Sequence, residues 1–163
     1  MKSCHLIGNG PSKKDFINTE NYEIFGCNLS SPELPLTASF IMDACVIEHI
    51  LINKVKLNFP IIFPEPISRL LNECNPRPIV YAWNNRVCRN GESTGHHAAM
   101  WLAEHEYSEV NLWGFDSFKV DSVKSDSQDK MANSYACPTN YLKWRTLWDS
   151  IFKKYPETKF IIR

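Results

Sequence analysis

The fold is decided by Leu6-Ile7-Gly8-Asn9-Gly10-Pro11-Ser12, where an apolar run ends in two glycines, an amide and a hydroxyl. We predict a β-strand that stops in a tight turn, because glycine adopts backbone angles closed to other residues and leaves space for a ligand. Pro11 and Ser12 favour a helix start, whose free amides would face the turn. Two interpretations stay open, a phosphate site and a purely structural turn. The spacing matches neither the dinucleotide fingerprint nor a P-loop.

Outward from this turn, apolar runs alternate with helical patterns along the chain. We predict strands at 4–8, 22–28, 37–43, 59–63, 78–83, 109–113 and 159–162, and helices at 44–53, 67–74, 96–106 and 141–154. The polar stretch 13–19 suits a helical turn or two, and 117–133 suits a loop. This alternation predicts an α/β fold, a Rossmann-like three-layer sandwich with a mainly parallel sheet of about six to seven strands.

Length and charge narrow the classes of function. The 163 residues suit a single domain spanning 1–163. Lys+Arg and Asp+Glu both number 18, so no overall field attracts nucleic acid or an anionic membrane. We find no signal peptide and no membrane-spanning segment, and the six cysteines lie singly, so we expect a cytoplasmic protein with reduced thiols. The chain has five tryptophans and an apolar C-terminal helix, which a second subunit could cover, so a homo-oligomer is one alternative.

Small and polar residues follow the predicted strands at several points. The carboxyl ends of parallel strands meet at one edge of the sheet, where ligands of such folds bind. We therefore expect the strand-exit and helix-entry residues to converge on one cleft. They are Gly8 to Ser12, Asn28, Asp43, Ser93 to Gly95, and Gly114 to Asp116.

Four motifs, in order, carry a resemblance to a known family. They are Gly8-Asn9-Gly10-Pro11-Ser12, Phe25-Gly26-Cys27-Asn28, Ser93-Thr94-Gly95 at a helix start, and Tyr107-Ser108-Glu109-Val110-Asn111-Leu112-Trp113-Gly114-Phe115-Asp116. Together they resemble the bacterial sialyltransferases of glycosyltransferase family 42, which use a CMP-activated sialic acid. The resemblance covers about residues 4 to 116 together with the terminal helix and strand.

The resemblance implies a nucleotide site at the carboxyl edge. The residues carried over are Asn9, Gly10, Ser12, Asn28, Ser93, Thr94 and Gly95, and Gly8 and Pro11 complete the turn. Asp43 lies where the family tends to have an amide, and a carboxylate there would repel the carboxylate of sialic acid. The family's general base is a histidine before the C-terminal helix, but here that segment has tyrosines and no histidine.

Several side chains are candidates for the general base and for the group that stabilises the leaving phosphate. Glycosyl transfer needs a base for the acceptor hydroxyl and a means of stabilising the leaving phosphate. His96 and His97 follow Gly95 in a first helical turn, where the helix dipole opposes imidazolium; each is either a base or a structural residue. Arg86 and Arg89 either clamp a phosphate or are solvated. Tyr135 either donates to the leaving group or packs in the core, and Asp116 either holds a loop or contacts the sugar.

Three hypotheses of function follow. The first is a glycosyltransferase-like enzyme that binds a nucleotide sugar, CMP-linked by resemblance, and transfers the sugar to an unknown acceptor. The second is a nucleotide-binding or interaction protein that has lost the catalytic base. The third is a hydrolase or phosphotransferase acting on a nucleotide or pterin-like diphosphate. The chain lacks the Asp-x-Asp pair of many manganese-dependent glycosyltransferases, so we predict no required metal or cofactor.

Overall fold

The computed structural model describes residues 2–64, 80–83, 92–119 and 138–163. Their helices and strands alternate in the order expected for an α/β fold. The strands are β1 (Lys2–Ile7), β2 (Glu23–Cys27), β3 (Ala38–Phe40), β4 (Ile61–Pro64), β5 (Val80–Trp83), β6 (Tyr107–Trp113) and β7 (Lys159–Ile162). The α-helices are α1 (Ala44–Ile52), α2 (Thr94–Glu104) and α3 (Pro138–Lys154), and 3-10 helices cover Pro11–Asp15 and Asp116–Phe118.

The seven described strands form one sheet in the order β5-β4-β3-β2-β1-β6-β7. Every neighbouring pair is parallel. The chain steps from β1 outward to β5, and β6 then joins the opposite side of β1. Such a reversal of strand order opens a crevice at the carboxyl ends of the two strands beside it, here β1 and β6. The predicted Rossmann-like parallel sheet is confirmed.

Side chains of successive strand residues point to opposite faces, and each face is covered. Leu6 belongs to a core with Ala99 and Leu102 of α2 and Trp148 of α3. On the other face α1 packs through Ile47 onto β4 and onto Ile41, which follows β3, in a second core. The sheet therefore forms the middle of three layers.

The predicted boundaries differ from the structure in a few places. The strand predicted at 37–43 is only Ala38–Phe40, and the polar stretch after the glycine turn is a 3-10 helix over Pro11–Asp15. Helix α2 begins at Thr94, two residues before the predicted start, because Ser93 caps it. The predicted helix 67–74 and most of the predicted loop 117–133 lie outside the described residues. In the part of the chain that the structure describes, none of the helices combines the length and apolar character needed to cross a membrane.

Candidate functional site

Three polar side chains from distant parts of the chain meet at the carboxyl edge of the sheet. The Asn28 Nδ2 amide donates to Asp43 Oδ2 over 3.2 Å. The Thr94 hydroxyl lies 3.3 Å from the same carboxylate oxygen and 3.4 Å from Asn28 Oδ1. Asn28 and Thr94 are 66 positions apart in sequence, so only the fold brings them together. We call Asn28, Asp43 and Thr94 the carboxyl-edge cluster.

The backbone around Asn28 explains its position in the cluster. Asn28 has φ of 56°, in the left-handed region that asparagine tolerates better than most residues. Its N–H donates to the Phe40 carbonyl over 2.7 Å, and its carbonyl accepts from Ser39 Oγ at 2.7 Å. These bonds stop β2 and turn the amide side chain toward Asp43, which immediately precedes α1. Both Asn28 and Thr94 are buried.

The glycine turn lies at the reversal point between β1 and β6. The Gly8 N–H donates to the Trp113 carbonyl over 2.7 Å, and the Gly10 N–H donates to the Gly114 carbonyl over 2.8 Å. The Ser12 N–H donates to Asp116 Oδ2 over 3.2 Å. Our expectation that the amides of this turn face a ligand freely is therefore wrong for these three, because the last residue of β6 and the segment after it accept all three bonds.

The Phe115 ring joins the glycine turn to the start of α2. A Cβ added to Gly95 would lie 2.3 Å from Phe115 Cε1, and a Cβ added to Gly8 would lie 3.2 Å from Phe115 Cε2. Both glycines thus pack directly against one ring, which also contacts Trp148 edge-on at 5.4 Å between centroids. The turn and the carboxyl-edge cluster are neighbours on a common rim, with an aromatic side chain between them.

His96 takes part in the cap of α2. The Ser93 N–H donates to His96 Nδ1 over 3.0 Å, and the Ser93 hydroxyl lies 2.8 Å from the same atom. With Nδ1 accepting, the proton lies on Nε2, which donates to the Trp144 carbonyl over 3.1 Å. His96 thus fills the position that Glu or Gln holds in a capping box. Burial is the largest cause lowering its pKa to about 4, so the imidazole is neutral at physiological pH.

His97 has a different environment from its neighbour. It is 1% exposed, and its Nε2 lies 3.0 Å from Glu92 Oε2, a carboxylate that is itself 22% exposed. A carboxylate in this position orients an imidazole and stabilises the charge that forms when the ring takes up a proton. Of the two predicted bases, His97 is therefore the one that lies beside a carboxylate.

The structure brings some predicted site residues together, and others lie outside the described residues. Asn9, Gly10 and Ser12 lie with Asp116 at the turn, while Ser93 and Gly95 flank Thr94 at the start of α2. Arg86, Arg89 and Tyr135 lie outside the described residues. Within the described ranges, no group of three His, Cys, Asp or Glu side chains is placed to hold a metal ion.

The sequence analysis placed Phe115 at the expected cleft within Gly114 to Asp116, but it assigned no role to the ring, which lies between the two halves of the rim. Its signal was its position between Gly114 and Asp116, a bulky ring among small and polar residues at a strand exit. Lys13 was also missed, because its segment was interpreted only as polar.

Comparison with known proteins finds a solved structure with a similar fold. No protein-family model matches it, and no curated protein matches its sequence. Its structure is similar to that of the sialyltransferase CstII from Campylobacter jejuni, determined in complex with the substrate analogue CMP-3FNeuAc. The two folds are alike. The TM-score is 0.56 at 17% sequence identity, and the similarity covers 99% of this chain and 81% of the sialyltransferase chain. The similarity establishes the fold, of the type that the sequence motifs predicted.

Proposed function

We propose that this protein is glycosyltransferase-like and binds a nucleotide sugar, CMP-linked, at the carboxyl edge of its sheet. The observation that carries the proposal is the meeting of Asn28, Asp43 and Thr94 beside the crevice between β1 and β6. Open parallel sheets bind their ligands at this place. The fold is shared with a sialyltransferase whose structure holds a CMP-sugar analogue, which supports the choice of ligand.

In this proposal the carboxyl-edge cluster recognises hydroxyl groups. The donors of Asn28 and Thr94 point to Asp43, so the carboxylate is held in one orientation. A carboxylate accepts hydrogen bonds from ribose or sugar hydroxyls and repels another carboxylate. Ser93 and Gly95 border the same ligand at the start of α2, while Asn9 approaches it from the glycine turn.

Sugar transfer further requires a base. We assign this role to His97, oriented by Glu92, because the two ring nitrogens of His96 are engaged by Ser93 and Trp144. Tyr135 remains the predicted donor to the leaving phosphate. The acceptor that loses its proton to His97 is a hydroxyl compound of unknown identity.

A calorimetric titration with CMP, UMP and cytidine tests the binding proposal. Wild-type protein is expected to bind CMP with saturation and in preference to UMP. Thr94→Val removes the hydroxyl at nearly constant volume, so it should weaken CMP binding without unfolding the chain. Absence of heat at millimolar CMP and CMP-sugar would remove the proposal.

The second candidate is a nucleotide-binding protein without catalysis. The burial of both histidines favours it, because a base at 1% exposure must become accessible when an acceptor binds. Incubation with a CMP-sugar, followed by mass analysis of the products, separates the two functions. Sugar release or transfer that disappears in His97→Ala supports the enzyme, whereas CMP binding without product supports the second candidate. The product masses also distinguish transfer of sugar from transfer of phosphate.

A further inference from the structure

The glycine turn is poorly placed to bind the phosphate of a ligand, although glycine turns of this kind often do. Its Gly8, Gly10 and Ser12 amides already donate to the last residue of β6 and to the segment that follows it. The acceptor of the Ser12 N–H is a carboxylate, Asp116, and Oδ2 of Asp116 lies only 1.8 Å from the position that a Cβ on Gly10 would occupy. A phosphate entering this turn would meet that negative charge at close range.

The side chain of Lys13 extends across the same edge of the sheet. The Lys13 Cβ lies 3.0 Å from the position of a Cβ on Gly114, at the exit of β6. Its Nζ donates over 2.6 Å to the carbonyl of Ser30, beyond the exit of β2. Because β1 lies between β2 and β6, the lysine side chain passes over the end of β1.

The contact that fixes the ammonium is itself well supported. Ser30 is buried, and its hydroxyl donates to the Ile7 carbonyl over 3.0 Å. The Cys27 N–H donates to the same hydroxyl over 3.3 Å. The Ser30 carbonyl is therefore held at one place, and Lys13 is half-buried while the adjacent Lys14 is exposed. The Lys13 side chain is thus directed along the carboxyl edge.

We propose that Lys13, and not the glycine turn, binds the phosphate of the nucleotide. This inference rests on the proposed function and refines it: the turn shapes the rim, the carboxyl-edge cluster meets hydroxyls, and the lysine supplies the charge. An ammonium carries three N–H donors and forms strong charge-assisted hydrogen bonds with phosphate oxygens. The site then selects a phosphorylated nucleoside over the nucleoside itself.

The test compares Lys13→Gln with the matched control Lys14→Gln, titrating each with CMP and with cytidine. A hydrogen bond to a charged group corresponds to an affinity change of about tenfold to a hundredfold. We expect Lys13→Gln to lose that factor for CMP and to bind cytidine as the wild type does. Lys14→Gln should match the wild type with both ligands, and Lys13→Arg should retain most of the preference for CMP.

Each outcome bears on the inference. Retained cytidine binding by Lys13→Gln shows that the variant is folded, so a selective loss of CMP supports the phosphate role. Equal loss of both ligands overturns it, because the lysine would then act on the fold. CMP binding unchanged in Lys13→Gln also overturns it. If the wild-type protein binds neither ligand, the failure lies with the proposed function.

Discussion

The neutral, buried His96 makes the stability of the fold depend on pH, and replacing it with glutamine should remove that dependence. The pKa of His96 is lowered from 6.5 to about 4, chiefly by burial and further by the nearby His97, while the Trp144 carbonyl opposes the shift. Protonation would also break the bond from the Ser93 N–H, because Nδ1 could no longer accept it. His96→Gln preserves the cap, since glutamine is a natural residue at this position of a capping box.

The magnitude follows from the linkage between proton binding and folding. The unfolded chain binds this proton near pH 6.5 and the folded chain only near pH 4, so the stabilisation is fully present above 6.5 and declines as the pH falls toward 4. The two pKa values differ by about 2.5, which at about 1.4 kcal/mol per pKa unit corresponds to about 3 kcal/mol, most of it lost between pH 7 and pH 4.

Urea unfolding followed by circular dichroism measures this loss directly. Between about pH 7 and about pH 4.5, we expect the wild type to lose about 2 kcal/mol more free energy of unfolding than His96→Gln loses. His105→Gln, at an exposed histidine just after the same helix, serves as the matched histidine-to-glutamine control. Identical pH dependence in the wild type and His96→Gln would refute this explanation of His96.

Two further predictions concern the packing of Gly95 and a hydrogen bond of Tyr107. Gly95→Ala places a methyl group 2.3 Å from Phe115 Cε1, so it should destabilise the fold by about 1–3 kcal/mol, although alanine has the better helix propensity. In a Phe115→Ala background the same change should be neutral or stabilising. Equal effects in both backgrounds would contradict the packing argument. Tyr107→Phe removes the hydroxyl that donates to Glu23 Oε2 over 2.6 Å, so chemical denaturation should show a loss of about 1 kcal/mol in the free energy of unfolding. An unchanged denaturation midpoint would contradict this, because water would then replace the hydrogen bond at no cost.

Much of the fold could be predicted because parallel strands buried on both faces are continuous apolar runs. The strand Lys159–Ile162 has the bounds that its apolar pattern predicts, and the helix Ala44–Ile52 ends one residue before its predicted end. The strand order was not visible in the local pattern. It depends on which strand pairs with β1, and β6 begins about a hundred residues later in the chain.

The candidate site was predictable in its location but not in its hydrogen bonds. Asn28, Asp43 and Thr94 were each found at a strand exit or helix entry, and the sheet brings them together. The use of the turn amides could not be foreseen, because the partner of the Ser12 N–H is 104 positions away. The cap formed by His96 was not predicted, because histidine is an unusual residue at a position where glutamate or glutamine is typical.

The most direct test of the account is to locate bound CMP on the protein. Amide chemical shifts recorded during a CMP titration report which residues sense the ligand. We expect saturable shifts at Asn28, Asp43, Thr94 and Gly95, with the edge strand β7 unchanged. Saturable shifts confined to β7 and α3, or no shifts at millimolar CMP, would contradict the claim that the carboxyl-edge cluster is a nucleotide site.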